Sequence, residues 1–133
     1  MTQWEPVGFG KLMDIKVILR SPERSEAELL IREDLCNRRG VLHGGALMGW
    51  ADAMGGMTAS AALAKGQFTA TIESKTNFFA PIFKGDTARA VCRPLHSGRT
   101  TIVLQTDISR SDGTRAAMVV QTQIVLPTTP RQE

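Results

Sequence analysis

The spacing of apolar positions changes character along the chain, and each change predicts an element. Residues 15–19 (IKVIL) are a short apolar run, and 26–34 (EAELLIRED) resume an extended pattern. RSPERS at 20–25 supplies turn residues between them, so the two predict a hairpin, followed by a loop at 37–40 (NRRG). From 43 to 64 the chain reads HGGALMGWADAMGGMTASAALA, nearly all small or apolar. This predicts a long helix opened by His43-Gly44-Gly45 and stopped by Gly66. A helix that is apolar on every side is a buried helix. Gly49, Gly55 and Gly56 each cost it about 1 kcal/mol against Ala, which makes sense if something approaches the helix backbone closely.

After Gly66 the period falls to two. Residues 68–79 are rich in β-branched and aromatic side chains, and PIFKGD (81–86) reads as a turn. In 87–96, Ala88, Ala90 and Cys92 share one face, a small surface suited to wrapping a helix. Ser97-Gly98 and Ser111-Asp112-Gly113-Thr114 are hairpin turns. Between and after them, 100–110 place Ile102, Leu104 and Ile108 on one face, and 115–126 place Met118, Val120, Ile124 and Leu126 on one face. The pattern predicts a single α+β domain over 1–133: an N-terminal segment (1–13), a hairpin, one long buried helix, four successive antiparallel strands, and a frayed tail at 127–133. One sheet cannot cover a helix that is apolar all round, so at least a homodimer is expected.

Composition narrows the function. A net charge of +3 with no basic run or basic–aromatic stripe argues against nucleic acid as a partner. Cys36 and Cys92 form no CxxC, and the two histidines, His43 and His96, lie far apart, so no metal site is expected and free thiols are. Glu5 and Pro6 stand where a signal peptide needs a basic patch and an apolar run, which leads to an expectation of a mature, cytoplasmic protein. The segment 44–64 is long enough to span a bilayer, but it is poor in Leu, Ile, Val and Phe and carries an acid near its centre, so no membrane span is expected.

That acid, Asp52, has no basic residue between it and Lys65. A carboxylate buried in such a segment must be paired, hydrogen-bonded or neutralised, and is a candidate base; the alternative is that it reaches solvent at a subunit seam. At the start of the helix, the Gly44 and Gly45 amides lack internal partners and carry the positive end of the dipole. Glycine there admits a ligand against the backbone, making a ready polariser of a carbonyl. Nine residues separate His43 from Asp52, about half a revolution beyond two turns and about 13 Å along the axis. One helix cannot aim Gly44 and Asp52 at one small group, but two helices across a dimer can, with Gly49, Gly55 and Gly56 permitting their approach.

NRRGVLHGGALMGWAD, followed by NFFAPIFKGD and CRPLHSGRTTI, resembles the hotdog-fold acyl-CoA thioesterases, in the phenylacetate-degradation branch that includes the enterobactin-pathway proofreading thioesterase. The resemblance covers about residues 28–126 and implies an antiparallel sheet wrapped around one central helix. It implies hydrolysis of acyl- or aryl-CoA to free acid and CoA by a homodimer or dimer of dimers, with CoA part of the substrate and no further cofactor. On it, Asp52 matches the catalytic carboxylate, Gly44 the glycine whose amide polarises the thioester carbonyl, and Asn37 the Asn or Gln that binds substrate or water beside His43 and Gly45. Thr71 falls where some members place a water-positioning Ser, and His96 resembles a His that contacts an aryl group. Gly56 stands where some members carry Ser or Thr, so hydroxyl help must come from Thr58 or Thr71. Lys84, Arg89, Arg93, Arg99 and Arg110 are candidates for the CoA phosphates, with Arg99 and Arg110 preferred. Leu47, Met48, Trp50, Met54 and Met57 are candidates for an apolar acyl pocket. Competing readings are a hotdog dehydratase or hydratase, and a non-catalytic acyl-CoA sensor.

Overall fold

A computed structural model describes residues 4–127. The chain forms α1 (Gly8–Met13), β1 (Lys16–Leu19), β2 (Ser25–Leu30), a 3-10 turn (Glu33–Leu35), α2 (Gly44–Ser60), β3 (Gln67–Phe78), β4 (Thr87–Ser97), β5 (Thr101–Ser109) and β6 (Arg115–Pro127). The six strands make one sheet in the order β1-β2-β4-β5-β6-β3, each neighbouring pair antiparallel. The sheet wraps α2, and this is the hotdog fold. The expected small face is where the helix lies: Ala88, Ala90 and Cys92 are fully buried, as are Trp50, Ala51 and Met54 of α2. No helix among the described residues is long and apolar enough to cross a membrane.

Three expectations change. The first strand pair is shorter than the sequence pattern, because after Leu30 the chain leaves the sheet and Ile31 N–H bonds the Asp86 carbonyl instead. The helix stops at Ser60 rather than near Gly66. The Met57 carbonyl in its last turn accepts from Ser60 Oγ (2.9 Å) and from Arg20 Nε (3.1 Å), and Ala61 N–H bonds Thr58 O in a tightened turn. Successive strands also fail to run as one meander. β3 does not pair with β4 but lies at the far edge against β6, because residues 79–86 form a crossover bonded to the strand-like entry of α2 (Leu42 N–H to Ile82 O, Lys84 N–H to Gly40 O).

In β6, Met118, Val120, Ile124 and Leu126 do share one face. The face turned to the helix is Ala117, Val119, Gln121 and Gln123, all buried; Met118, Val120, Ile124 and Leu126 lie on the outer face and are half-buried. Two glutamines therefore sit where an apolar pattern would have placed aliphatic residues. Of the tail expected to fray at 127–133, Pro127 instead ends β6 opposite Gln67, and the rest lies outside the described residues.

Glu26 on β2 is buried between Arg89 of β4 and Arg24, the latter at 2.5 Å. The Arg89 hydrogen bond, aided by the charge of Arg24, holds its carboxyl below the ordinary glutamate value. The folded state thus takes up this proton less readily than the unfolded chain. The stabilisation is in place above the unfolded value of about 4.3 and is lost as pH falls through the folded one. The difference in Tm between the wild type and Glu26→Gln should therefore be largest near neutrality and shrink below about pH 4; a difference independent of pH would contradict this.

Candidate active site

The sequence places two chemically distinct features on α2, and the structure puts each at the mouth of its own cavity. At the N-terminus His43 is the cap: its backbone is extended (φ −61°, ψ 136°) and its Nδ1 accepts from Gly45 N–H at 2.8 Å. The proton of the neutral ring therefore sits on Nε2. The Gly45 amide, expected to meet substrate, is spent on this cap. The Gly44 N–H has no carbonyl within the helix to bond, and residue 44 lines a cavity of about 300 Å³ with Leu42, Leu47, Phe78 and Pro81. The Phe78 ring lies over it, since a Cβ at position 44 would stand 3.4 Å from Phe78 Cζ. Asn37 is in the exposed loop before the helix and its Oδ1 accepts from Arg39 N–H at 2.9 Å, so its NH2 is the group able to donate outward.

Asp52 occupies the second feature. It is exposed in the single chain, not enclosed in the core, so burial within one subunit does not account for it. It lies on a stripe of α2 left open to solvent at Gly45, Met48 and Asp52. Thr71 of β3 donates its hydroxyl to Asp52 Oδ1 at 2.7 Å. The structure thus joins two residues that are 19 positions apart in sequence. Thr58, the other hydroxyl candidate, is buried and donates to Met54 O at 2.8 Å, which leaves Thr71 as the one that reaches the acid. Beside Asp52 lies a cavity of about 260 Å³, walled by Met54 and Met57 and by Trp4, Pro6, Val7 and Ile15 from the N-terminal segment. Behind Thr71 are Gln123 and Gln121, which the sequence reading did not single out. The α2 glycines also have other partners than expected. Gly49 accommodates Phe9 of α1, Gly55 accommodates Gln121, and Gly56 lines the cavity at Asp52.

Gly44 and Asp52 are eight residues apart, about 12 Å along the axis. Counted from Gly44 the angular offset is only about 80°, so the axial gap is what keeps the amide and the acid from sharing one group. The remaining predicted residues divide. Met57 lies with Met54 at the Asp52 cavity and Leu47 at the Gly44 cavity, while Trp50 is fully enclosed in the core and Met48 is exposed. His96 is exposed at the end of β4, and the register separates it from β3 by three strand steps, about 14 Å. Arg99 and Arg110 fall at opposite ends of β5. Arg110 pairs with Asp112 (2.6 Å) and donates to Pro81 O (3.3 Å) on the wall of the Gly44 cavity. Lys84 pairs with Glu33 at 3.2 Å, Arg89 pairs with Glu26, and Arg93 is exposed.

A helix N-terminus with a free amide, a carboxylate held by a threonine, and a sheet wrapped on one helix together suit acyl transfer. The pattern that defines the thioesterase superfamily matches residues 39–117. The chain belongs to the thioesterase superfamily. A Saccharolobus solfataricus protein that carries the name of an esterase is 32% identical over 118 residues, covering 89% of this chain and 83% of that one. Among solved structures, a Pseudomonas aeruginosa thioesterase superposes with a TM-score of 0.83 at 26% identity, covering 89% of this chain and 85% of that one. A Streptococcus mutans protein bound to acetyl-CoA superposes at 0.79 with 21% identity, covering 87% and 91% respectively. Within this superfamily, the matched stretch takes in Gly44, Asp52 and Thr71 but ends before Gln121 and Gln123.

Proposed function

We propose that this thioesterase-superfamily chain hydrolyses acyl- or aryl-CoA thioesters to the free acid and CoA, in sites assembled from two copies. The observation that carries the reading is the separation of the two half-sites on one helix, with β3 serving both. β3 gives Thr71 to the acid and Phe78 to the amide cavity. It is also a twelve-residue edge strand, most of whose side chains are exposed. An open edge of that length is a template for another strand. A second copy added antiparallel, about a two-fold axis near Ser74, sets the Thr71 stretch of one subunit against the Phe78 stretch of the other. That arrangement brings the Gly44 amide of one subunit to the Asp52 of its neighbour, which the 12 Å gap forbids within one subunit.

The chemistry follows from the groups. The thioester carbonyl oxygen receives the Gly44 N–H, aided by the helix dipole, and this interaction strengthens as the oxygen gains negative charge. Asp52 delivers the oxygen nucleophile, by taking a proton from water or by attacking the carbonyl carbon to give an anhydride that water opens. Either route adds one water, breaks the C–S bond and returns the proton to the thiolate of CoA. Asn37 lies in the loop leading into α2 and serves to bind substrate or water. CoA arrives with the substrate and no other cofactor is required. Arg110 is the preferred cation tied to the wall of the Gly44 cavity, and Arg99 and His96 would have to act at the other end of the sheet. CoA-thioester chemistry suits the cytoplasmic setting expected from the sequence, and the acetyl-CoA-bound Streptococcus mutans structure supports a CoA ligand. The quoted motifs support placement in the phenylacetate-degradation branch. Hydrolysis is favoured over dehydration because the His43 Nδ1 is committed to Gly45 N–H, not aimed at the acid. It is favoured over sensing because binding alone has no use for a carboxylate held by a threonine at a cavity mouth.

The cavity beside Asp52 is walled by Met, Val, Ile, Pro and Trp, so burying a second carboxylate there is costly. A thiol-release assay should find phenylacetyl-, benzoyl- and hexanoyl-CoA hydrolysed, and succinyl-CoA poorer by about a hundredfold or more. Absence of thiol release from every thioester, alongside measurable CoA binding, would overturn the hydrolase reading.

A further inference from the structure

On the assignment of Asp52 as the reacting carboxylate, the geometry points to a buried layer behind it: Gln121 and Gln123 are positioning residues that orient the Thr71 hydroxyl and thereby determine which oxygen of Asp52 is presented to substrate. Gln123 is 2% exposed and its side-chain nitrogen donates twice, to Thr71 Oγ1 and to Gln121 Oε1, both at 2.6 Å. Gln121 is 1% exposed and its nitrogen donates to Ala51 O at 2.9 Å. An amide nitrogen only donates, so the Thr71 oxygen accepts from Gln123 and its own proton is directed to Asp52 Oδ1. Donation thus runs outward from the Gln123 amide along two branches, through Gln121 to the Ala51 carbonyl and through Thr71 to Asp52. Oδ1 is engaged, and Oδ2 is the oxygen left for water or for the thioester carbon.

The chain of bonds begins at the carbonyl of Ala51 and ends on the side chain of the next residue, so it is anchored to the helical turn it serves. It also explains a glycine. A Cβ at Gly55 would stand 2.1–2.3 Å from the carboxamide atoms of Gln121, so no larger residue leaves room for that side chain. Buried amides on the inner face of β6 cost stability unless satisfied. A purely structural tie between β6 and α2 needs only the Gln121–Ala51 bond. The Gln123 branch instead leads outward, to exposed Thr71 and through it to exposed Asp52, which lines the cavity.

A double-mutant cycle on the full-length protein tests this. Gln123→Met and Thr71→Val should each lower kcat about tenfold with little change in KM, and the double variant should be no worse than Thr71→Val alone, because both act through one hydroxyl. Thr71→Ser should keep most of the activity. Additive losses, or a lowered Tm with kcat unchanged, would overturn the proposal. If Gln123→Met does not fold, Gln121→Met breaks the same chain one link earlier and enters the same cycle. A readout independent of turnover separates this proposal from the hydrolase reading: the Gln123 side-chain NH2 signal in 1H–15N spectra. It should move in Asp52→Asn and not in Lys65→Ala, even if no thioester is hydrolysed; an NH2 signal indifferent to Asp52→Asn would overturn the relay whatever the activity.

Discussion

Asp52→Asn should lower kcat for thiol release by about 10²–10⁴-fold, the range expected when a positioned base or nucleophile is removed, while KM and Tm stay near those of the wild type. The substitution is close to isosteric, and its carbonyl oxygen can still accept the Thr71 hydroxyl that the native carboxylate accepts at 2.7 Å. Fold and site geometry are therefore retained while basicity and nucleophilicity are lost. A loss of only a fewfold would mean that the acid orients something else and that the reacting group lies elsewhere.

Periodicity made the strands and the helix legible, and the quoted motifs pointed to Gly44, Asp52 and Thr71. What periodicity could not give was the orientation of β6. Periodicity groups Met118, Val120, Ile124 and Leu126 on one face without saying which way it turns, and the side turned inward carries Ala117, Val119, Gln121 and Gln123. The inward glutamines are tolerable because specific bonds to Ala51 O and Thr71 satisfy them, and those partners lie 70 and 52 residues away in sequence. Two signals bore on it: a Gln-x-Gln alternation in register with the small residues Ala117 and Val119, and a glycine at 55 with no turn to explain it. The crossover of residues 79–86 was hidden for a related reason. Hairpin logic is local, whereas that segment is held by Gly40, Leu42 and Ile31, far earlier in the chain. The lone acid also changes meaning. Sequence alone left open burial in the helix or exposure at a subunit seam, and the structure leaves it on the open stripe of α2.

On the proposed function, each site takes its amide from one subunit and its acid from the other. Gly44→Pro removes the amide with little damage to the helix, because proline is favoured at the first helical position and His43 already has the extended backbone preferred before it. Homodimers of Gly44→Pro and of Asp52→Asn should both be inactive. A mixed dimer would contain one site with both defects and one with neither. The most direct measurement is thiol release by purified, differently tagged Gly44→Pro/Asp52→Asn heterodimers. Assembly in trans predicts about half the wild-type turnover per dimer, since one of two sites is intact; heterodimers as inactive as either parent would contradict it.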